Sequence, residues 1–183
     1  LGLSSLTSSY LGMVLAHTGI SVMLIGVGLT TYFSLERSIL LGPGEQVELG
    51  SYAFLFNGHE EIRGPNYIGD RANITVLRNG SEIETLYPER RIYLATRTPS
   101  TEMAIDAGLL RDLFVTLGEE KQGGSWSMTV YVKPFVRWIW LGAIFMAMGG
   151  TIAALDKRYR LSRRRKIEKS KKREVAADLA ATA

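Results

Sequence analysis

The sequence predicts a membrane α + β protein: two transmembrane helices flanking a small, mostly antiparallel β domain, a sandwich or an open barrel. Three observations carry this. Leu11–Thr31 is 21 residues without a formal charge, which as a helix spans roughly 31 Å. Trp138–Leu155 is a second uncharged run, of 18 residues, and spans roughly 27 Å by the same arithmetic. Between them the continuous apolar pattern gives way to short alternating runs separated by Gly, Pro and Asn, the mark of strands and turns. The expected organisation is 1–10 as the end of a preceding loop, 11–33 and 135–155 as transmembrane helices, 34–134 as a β-rich outer domain, and 156–183 as a basic tail.

The first residues, LGLSSLTSSY, are small and polar and hold no initiating Met, so Leu1 reads as a cut through a longer polypeptide. The first apolar run lacks the basic flank of a signal peptide. Gly12-x-x-x-Ala16 places small residues where another helix can approach closely. Within this run lies one ionisable residue, His17, roughly 10 Å along the axis from Leu11. Helical geometry gives it the neighbours Met13, Val14, Ile20, Ser21 and Leu24. An ionisable group at that depth is costly and is a functional-site candidate by default. Three readings stand: a hydrogen bond to a neighbouring helix, a proton relay, or coordination of a metal or haem iron through neutral imidazole. A haem held by two histidines needs its second ligand from outside this chain, because no other histidine lies in either apolar run.

In the middle region EQVELGSYAFLF, ANITVLRNGSEIETLYP, RDLFVTLGEE and SWSMTVYVK read as strands from their β-branched and aromatic content. Asn79-Gly80 predicts a two-residue hairpin with a type I′ turn, since both central residues need positive φ. Asn57-Gly58 and Gly123-Gly124 predict weaker turns, and TEMAIDAGLLRD fits a short helix or a loop. The total is roughly six to eight strands. No catalytic residue is read here. His59, beside Glu60 and Glu61, admits a metal site but reads more simply as a solvated loop residue. GPNY (Gly64–Tyr67) and YPERR (Tyr87–Arg91) are turn-forming and charged stretches that could dock a partner but read more simply as loops, with Asn66 and Tyr67 the candidates for a docking surface. The absence of cysteine excludes a disulfide and the C-x-x-C-H attachment site of a c-type cytochrome in this chain.

The second run opens with Lys133, Arg137, Trp138 and Trp140, residues suited to a membrane–water interface. Gly149-x-x-x-Ala153 and Gly150-x-x-x-Ala154 again provide small faces, so both helices are expected to pack against further helices of a larger assembly. Of the 22 Lys and Arg, 11 lie between Lys157 and Arg173, whereas residues 34–133 hold 14 of the 18 acidic residues. This asymmetry places the C-terminus in the cytoplasm and residues 34–134 outside, in the periplasm if the source is a bacterium. The tail reads as an orienting segment that touches anionic membrane lipids, with no nucleic-acid role. A soluble enzyme is excluded.

GMVLAHTGISVMLIGVG, ERSILLGPGEQVELGSYAFLF, GPNY, TEMAIDAGLLRDLFVTLGE and VYVKPFVRWIWLGAIFMAMGG together resemble the C-terminal portion of the CcmF family of cytochrome c biogenesis proteins, from about Leu11 to Tyr159. The resemblance implies a multi-span component, in the bacterial inner membrane, of the system that attaches haem to apocytochrome c. It implies haem b held between two intramembrane histidines, with His17 as one axial ligand to the iron and the other in the remaining N-terminal part of the protein or a split partner. It also implies partnership with other cytochrome c maturation membrane proteins and with apocytochrome c. The family's tryptophan-rich haem-handling segment has no counterpart among Trp126, Trp138 and Trp140, so this chain is expected to be part of a haem lyase and not an enzyme by itself. The rival reading is a non-enzymatic, membrane-tethered periplasmic scaffold in which His17 is a structural hydrogen bonder.

Overall fold

The computed structural model describes residues 7–121 and 123–156; the basic run from Lys157 to Arg173 lies outside the described residues. The first apolar run forms helix α1, Ser8–Phe33, and the second forms α2, Val136–Ala154. Both are long and apolar enough to cross a membrane. Ten strands lie between them: β1 Leu35–Leu41, β2 Gln46–Leu49, β3 Tyr52–Arg63, β4 Tyr67–Arg78, β5 Ser81–Leu86, β6 Glu89–Tyr93, β7 Pro99–Glu102, β8 Ala104–Ala107, β9 Arg111–Glu120 and β10 Trp126–Pro134. They make two antiparallel sheets, β1-β10-β9-β8 and β2-β3-β4-β6-β7. Along one edge of β4, β6 pairs with its first half and β5 with its second.

The core follows from the period of two that a half-buried strand imposes. Leu113, Val115 and Leu117 of β9 and Met128 and Val130 of β10 point inward from one sheet. Phe54, Phe56, Ile74 and Val76 of β3 and β4 meet them from the other. The result is a sandwich filled by interdigitated side chains. The chain divides into two compact units. One pairs α1 up to Leu24 with α2 from Trp140, and the other is Ile25–Ile139.

The Asn79-Gly80 turn is as expected: φ is 51° and 76°, and Arg78 pairs with Ser81. Gly123 and Gly124 also have positive φ, between β9 and β10. Asn57-Gly58 is not a turn. Phe56 pairs with Ile74 and Gly58 with Asn73, so Asn57 is the extra residue of a bulge and β3 continues to Arg63. The Asn57 amide donates to Asn73 Oδ1 at 2.9 Å and Thr75 Oγ1 at 2.8 Å, which holds the bulge. YPERR is likewise not a loop, since Glu89 begins β6. Its charges are compatible with a strand because they are paired with each other and across the sheet. TEMAIDAGLLRD is neither helix nor simple loop but holds β8, in which Ile105 faces out while Asp106, half-buried, pairs with Arg111. That inverts the usual alternation and hides the strand.

Candidate functional site

The unit that carries His17 is built from two helices that touch backbone to backbone. A Cβ added at Gly149 would lie 2.5 Å from Ala16 N and Gly12 O, and one at Gly142 would lie 2.6 Å from Gly19 O and Met23 N. The seam therefore runs along Gly12, Ala16, Gly19 and Met23 of α1 and Gly142, Met146, Gly149 and Ala153 of α2. Small residues permit this approach, and dispersion and close packing then hold helices that gain nothing from hydrophobic burial in lipid. The expected small faces on Gly12 and Gly149 serve each other. Gly150 has nothing near its open side.

The N-terminus of α1 is capped twice. Thr7 Oγ1 accepts the Tyr10 N–H at 3.2 Å, and Asp156 Oδ2, just beyond α2, accepts the Ser9 N–H at 2.9 Å. Asp156 is buried, and its negative charge is favourable at a helix N-terminus. Sequence periodicity does not reveal this contact, because its partners are 147 residues apart.

His17 sits roughly a third of a turn away from the Gly12–Gly19 seam. Its ring is exposed, as are Met13, Val14, Ile20 and Leu24 around it. His17 Nδ1 lies 2.8 Å from the Met13 carbonyl oxygen. A carbonyl only accepts, so Nδ1 carries the proton and donates. The neutral ring then keeps its lone pair on Nε2. A ring nitrogen fixed by a backbone carbonyl, with the other free, is the arrangement of a metal-ligating histidine. The Nε2 lone pair could ligate a metal ion or a haem iron, and the side chains exposed around it are apolar. Among the described residues the hydrogen bond of the His17 ring is within its own helix, to Met13.

His59, the other histidine, lies in the β unit beside the bulge, its ring centroid 4.7 Å from that of the buried Trp126. With Asn57, Glu60, Arg71, Asn73 and Tyr87 it lines a shallow concavity of about 320 Å³. Glu60 is paired with Arg71 at 3.4 Å. Tyr67 is partly buried, with its ring against Gly64, the Arg91 guanidinium 4.5 Å from its centroid and the Tyr93 ring at 6.0 Å. It is thus committed to packing at the start of β4.

Sequence reasoning missed the carboxylate that organises this part of the sheet. Glu89 is buried, and its two oxygens accept from Arg71 Nε at 2.8 Å and Arg91 Nε at 2.7 Å. Burial pushes the Glu89 carboxyl up, but hydrogen bonds from Arg71 and Arg91 outweigh it and hold the group below the usual carboxylate range. The register Arg71↔Glu89 places these residues opposite each other, a relation visible only once β4 and β6 are known to pair.

Two helices long and apolar enough to cross a membrane, flanking an antiparallel sandwich, define a β-sandwich protein with two candidate membrane spans. The family model for the CcmF C-terminal β-sandwich matches residues 32–134. Over 160 residues, 87% of this chain and 24% of the relative, the chain is 52% identical to the cytochrome c-type biogenesis protein CcmF of Pseudomonas aeruginosa. Over 154 residues it is 44% identical to CcmF of Escherichia coli, again covering 24% of that protein. A solved structure titled cytochrome c heme lyase CcmF matches 81% of this chain and 25% of its own, with a TM-score of 0.67 at 19% identity, a likeness of fold. This chain belongs to the CcmF family. It spans about a quarter of the length of the curated relatives it matches.

Proposed function

We propose that this chain is the C-terminal membrane portion of a protein that attaches haem to apocytochrome c, and that His17 is one axial ligand of a membrane haem b. The observation that carries the reading is the state of the His17 ring. Nδ1–H is committed to the Met13 carbonyl, and Nε2 is left as an exposed ligand atom on an apolar helix face away from the packed seam. The second ligand comes from a histidine outside this chain. When bound, haem b supplies one-electron chemistry, and the axial pair and the polarity around it set its potential. What this chain contributes is position: α2 stiffens α1 along the glycine seam, and Met13 fixes the imidazole's rotation and tautomer.

In this reading residues 34–134 lie in the periplasm and serve transfer of haem to apocytochrome c, alongside other maturation proteins of the inner membrane. The C-terminus is cytoplasmic, in accord with the basic run from Lys157 to Arg173. The test is the reduced-minus-oxidised absorption spectrum of the full-length protein against His17→Ala and His17→Gly. Loss of a b-type spectrum in both variants, with restoration by added imidazole in His17→Gly, is the expected result. An unchanged spectrum in properly assembled variants returns His17 to a structural role and favours the tethered scaffold.

A further inference from the structure

We infer that the turn Gly108–Leu110, which joins β8 to β9, dips into the outer surface of the lipid bilayer with Leu109 and Leu110 as its apolar tip. This rests on the reading of α1 and α2 as membrane spans. The two leucines are 68% and 59% exposed, side by side at the apex of a hairpin, where turns are ordinarily polar or glycine-rich. Their place in the fold explains the exception. Arg111, at the start of β9, pairs with Pro134 at the end of β10, two residues before α2 begins. At the same end of the sheet Leu35 of β1, two residues after α1 ends, pairs with Val132. The turn therefore sits at the level where the chain leaves one span and begins the other.

It is also fastened there. The Phe135 N–H donates to Leu110 O at 3.0 Å, and Arg137, in the first turn of α2, donates to Ala107 O at 3.1 Å. Gly108 N–H is shared between Arg111 O at 2.9 Å and the Asp112 carboxylate at 3.0 Å. Arg111 itself turns back to Asp106 and the Tyr52 hydroxyl. The carbonyls of Ala107 and Leu110 and the N–H of Gly108 are thus satisfied by protein, which lowers the cost of entering a poorly hydrated layer. Aromatic residues of the interfacial type stand at the same level. Tyr32 is 82% exposed at the end of α1 with its ring against Phe33, and Phe135 packs edge-on against Trp138. A lipid surface fits this set, because apolar tips, aromatic rings and arginine follow one another at the bilayer boundary.

The chain contains no cysteine, so single nitroxide labels can be placed in this part of the full-length protein after removal of any cysteine elsewhere. Labels at Leu109→Cys and Leu110→Cys are compared, in liposomes, with Ile144→Cys within α2 and Lys121→Cys at the opposite end of β9. Collision rates with oxygen and with a water-soluble nickel chelate are read at each site. The expected result is an oxygen-to-nickel ratio at 109 and 110 several-fold above that at 121 and on the side of 144. A ratio at 109 and 110 equal to that at 121, with 144 sheltered from nickel, overturns the inference and leaves the spans intact. Shelter of 109 and 110 from both reagents also overturns it, by showing a protein partner in place of lipid. Nickel access at 144 overturns the membrane reading itself.

Discussion

Glu89 shows how one buried charge is made tolerable and then structural. Its carboxylate is enclosed where β4 and β6 pair, and the two arginines that reach it come from neighbouring positions on those strands. The Arg91 guanidinium lies against the Tyr67 ring as well, so the ion pair and the aromatic packing share one side chain. A carboxyl whose native pKa is depressed contributes stability that is complete above its unfolded value, 4.5, and is lost as pH falls through the native value. Glu89→Gln keeps the shape but removes the charge and turns an amide toward one guanidinium. It is expected to lower the stability of the β domain by about 2 kcal/mol at neutral pH. The gap to the unaltered protein should close as pH drops below about 4.5. Chemical denaturation of the full chain in detergent at several pH values reads both, and a gap independent of pH contradicts the assignment.

For the helices the deciding feature is a seam, and its test is a contrast between neighbours. Gly149 and Gly150 are adjacent in sequence, yet only Gly149 has the backbone of α1 where a side chain would go. Gly149→Val must push the helices apart and is expected to cost about 1–3 kcal/mol, the range for overpacking a fitted contact. Gly150→Val should leave the two-helix unit unaffected. Thermal unfolding in detergent of the two variants, side by side, separates a specific seam from a general intolerance to β-branching, which would lower both. The small-residue spacing was legible because it repeats at helical intervals, but which glycine on each helix meets the other was not, since both registers of α2 satisfy the same spacing. The strands divide in the same way. β9 and β10 announce themselves by alternation, as in LFVTL and MTVYV, because their inward residues are apolar. β6 and β8 were hidden because Glu89 and Asp106 occupy positions that the alternation rule reserves for apolar side chains, and their partners Arg71 and Arg111 come from other strands. His17 was legible as a candidate, since an imidazole in an uncharged run is conspicuous. The direction of its lone pair was not, because that depends on a rotamer and on the Met13 carbonyl.

Across the whole molecule, charge is divided between two regions of the sequence. Residues 34–133 hold most of the acidic groups and the 17 residues from Lys157 to Arg173 hold half of the basic ones. Lys and Arg within about 15–20 residues of a span end bias it to the cytoplasm, because moving them across during insertion is unfavourable, whereas acidic groups matter little. Arg137 and Lys133 at the other end of α2 oppose that bias, so in the proposed orientation the tail must outweigh them. Replacing the 11 basic residues of the tail by Gln and Ser is therefore expected to produce a mixed population, in which part of the molecules carry the sandwich on the wrong side. The readout is modification of Lys121→Cys, at the far end of β9, by a membrane-impermeant maleimide in intact cells. Full labelling in the native tail and reduced labelling in the neutralised one is the expected pair. The further change of Lys133 and Arg137 to Gln, in the neutralised background, should restore much of the labelling because it removes the opposing charges. Undiminished labelling without the tail charges means that orientation is imposed by spans outside this chain and that the basic run serves lipid contact alone.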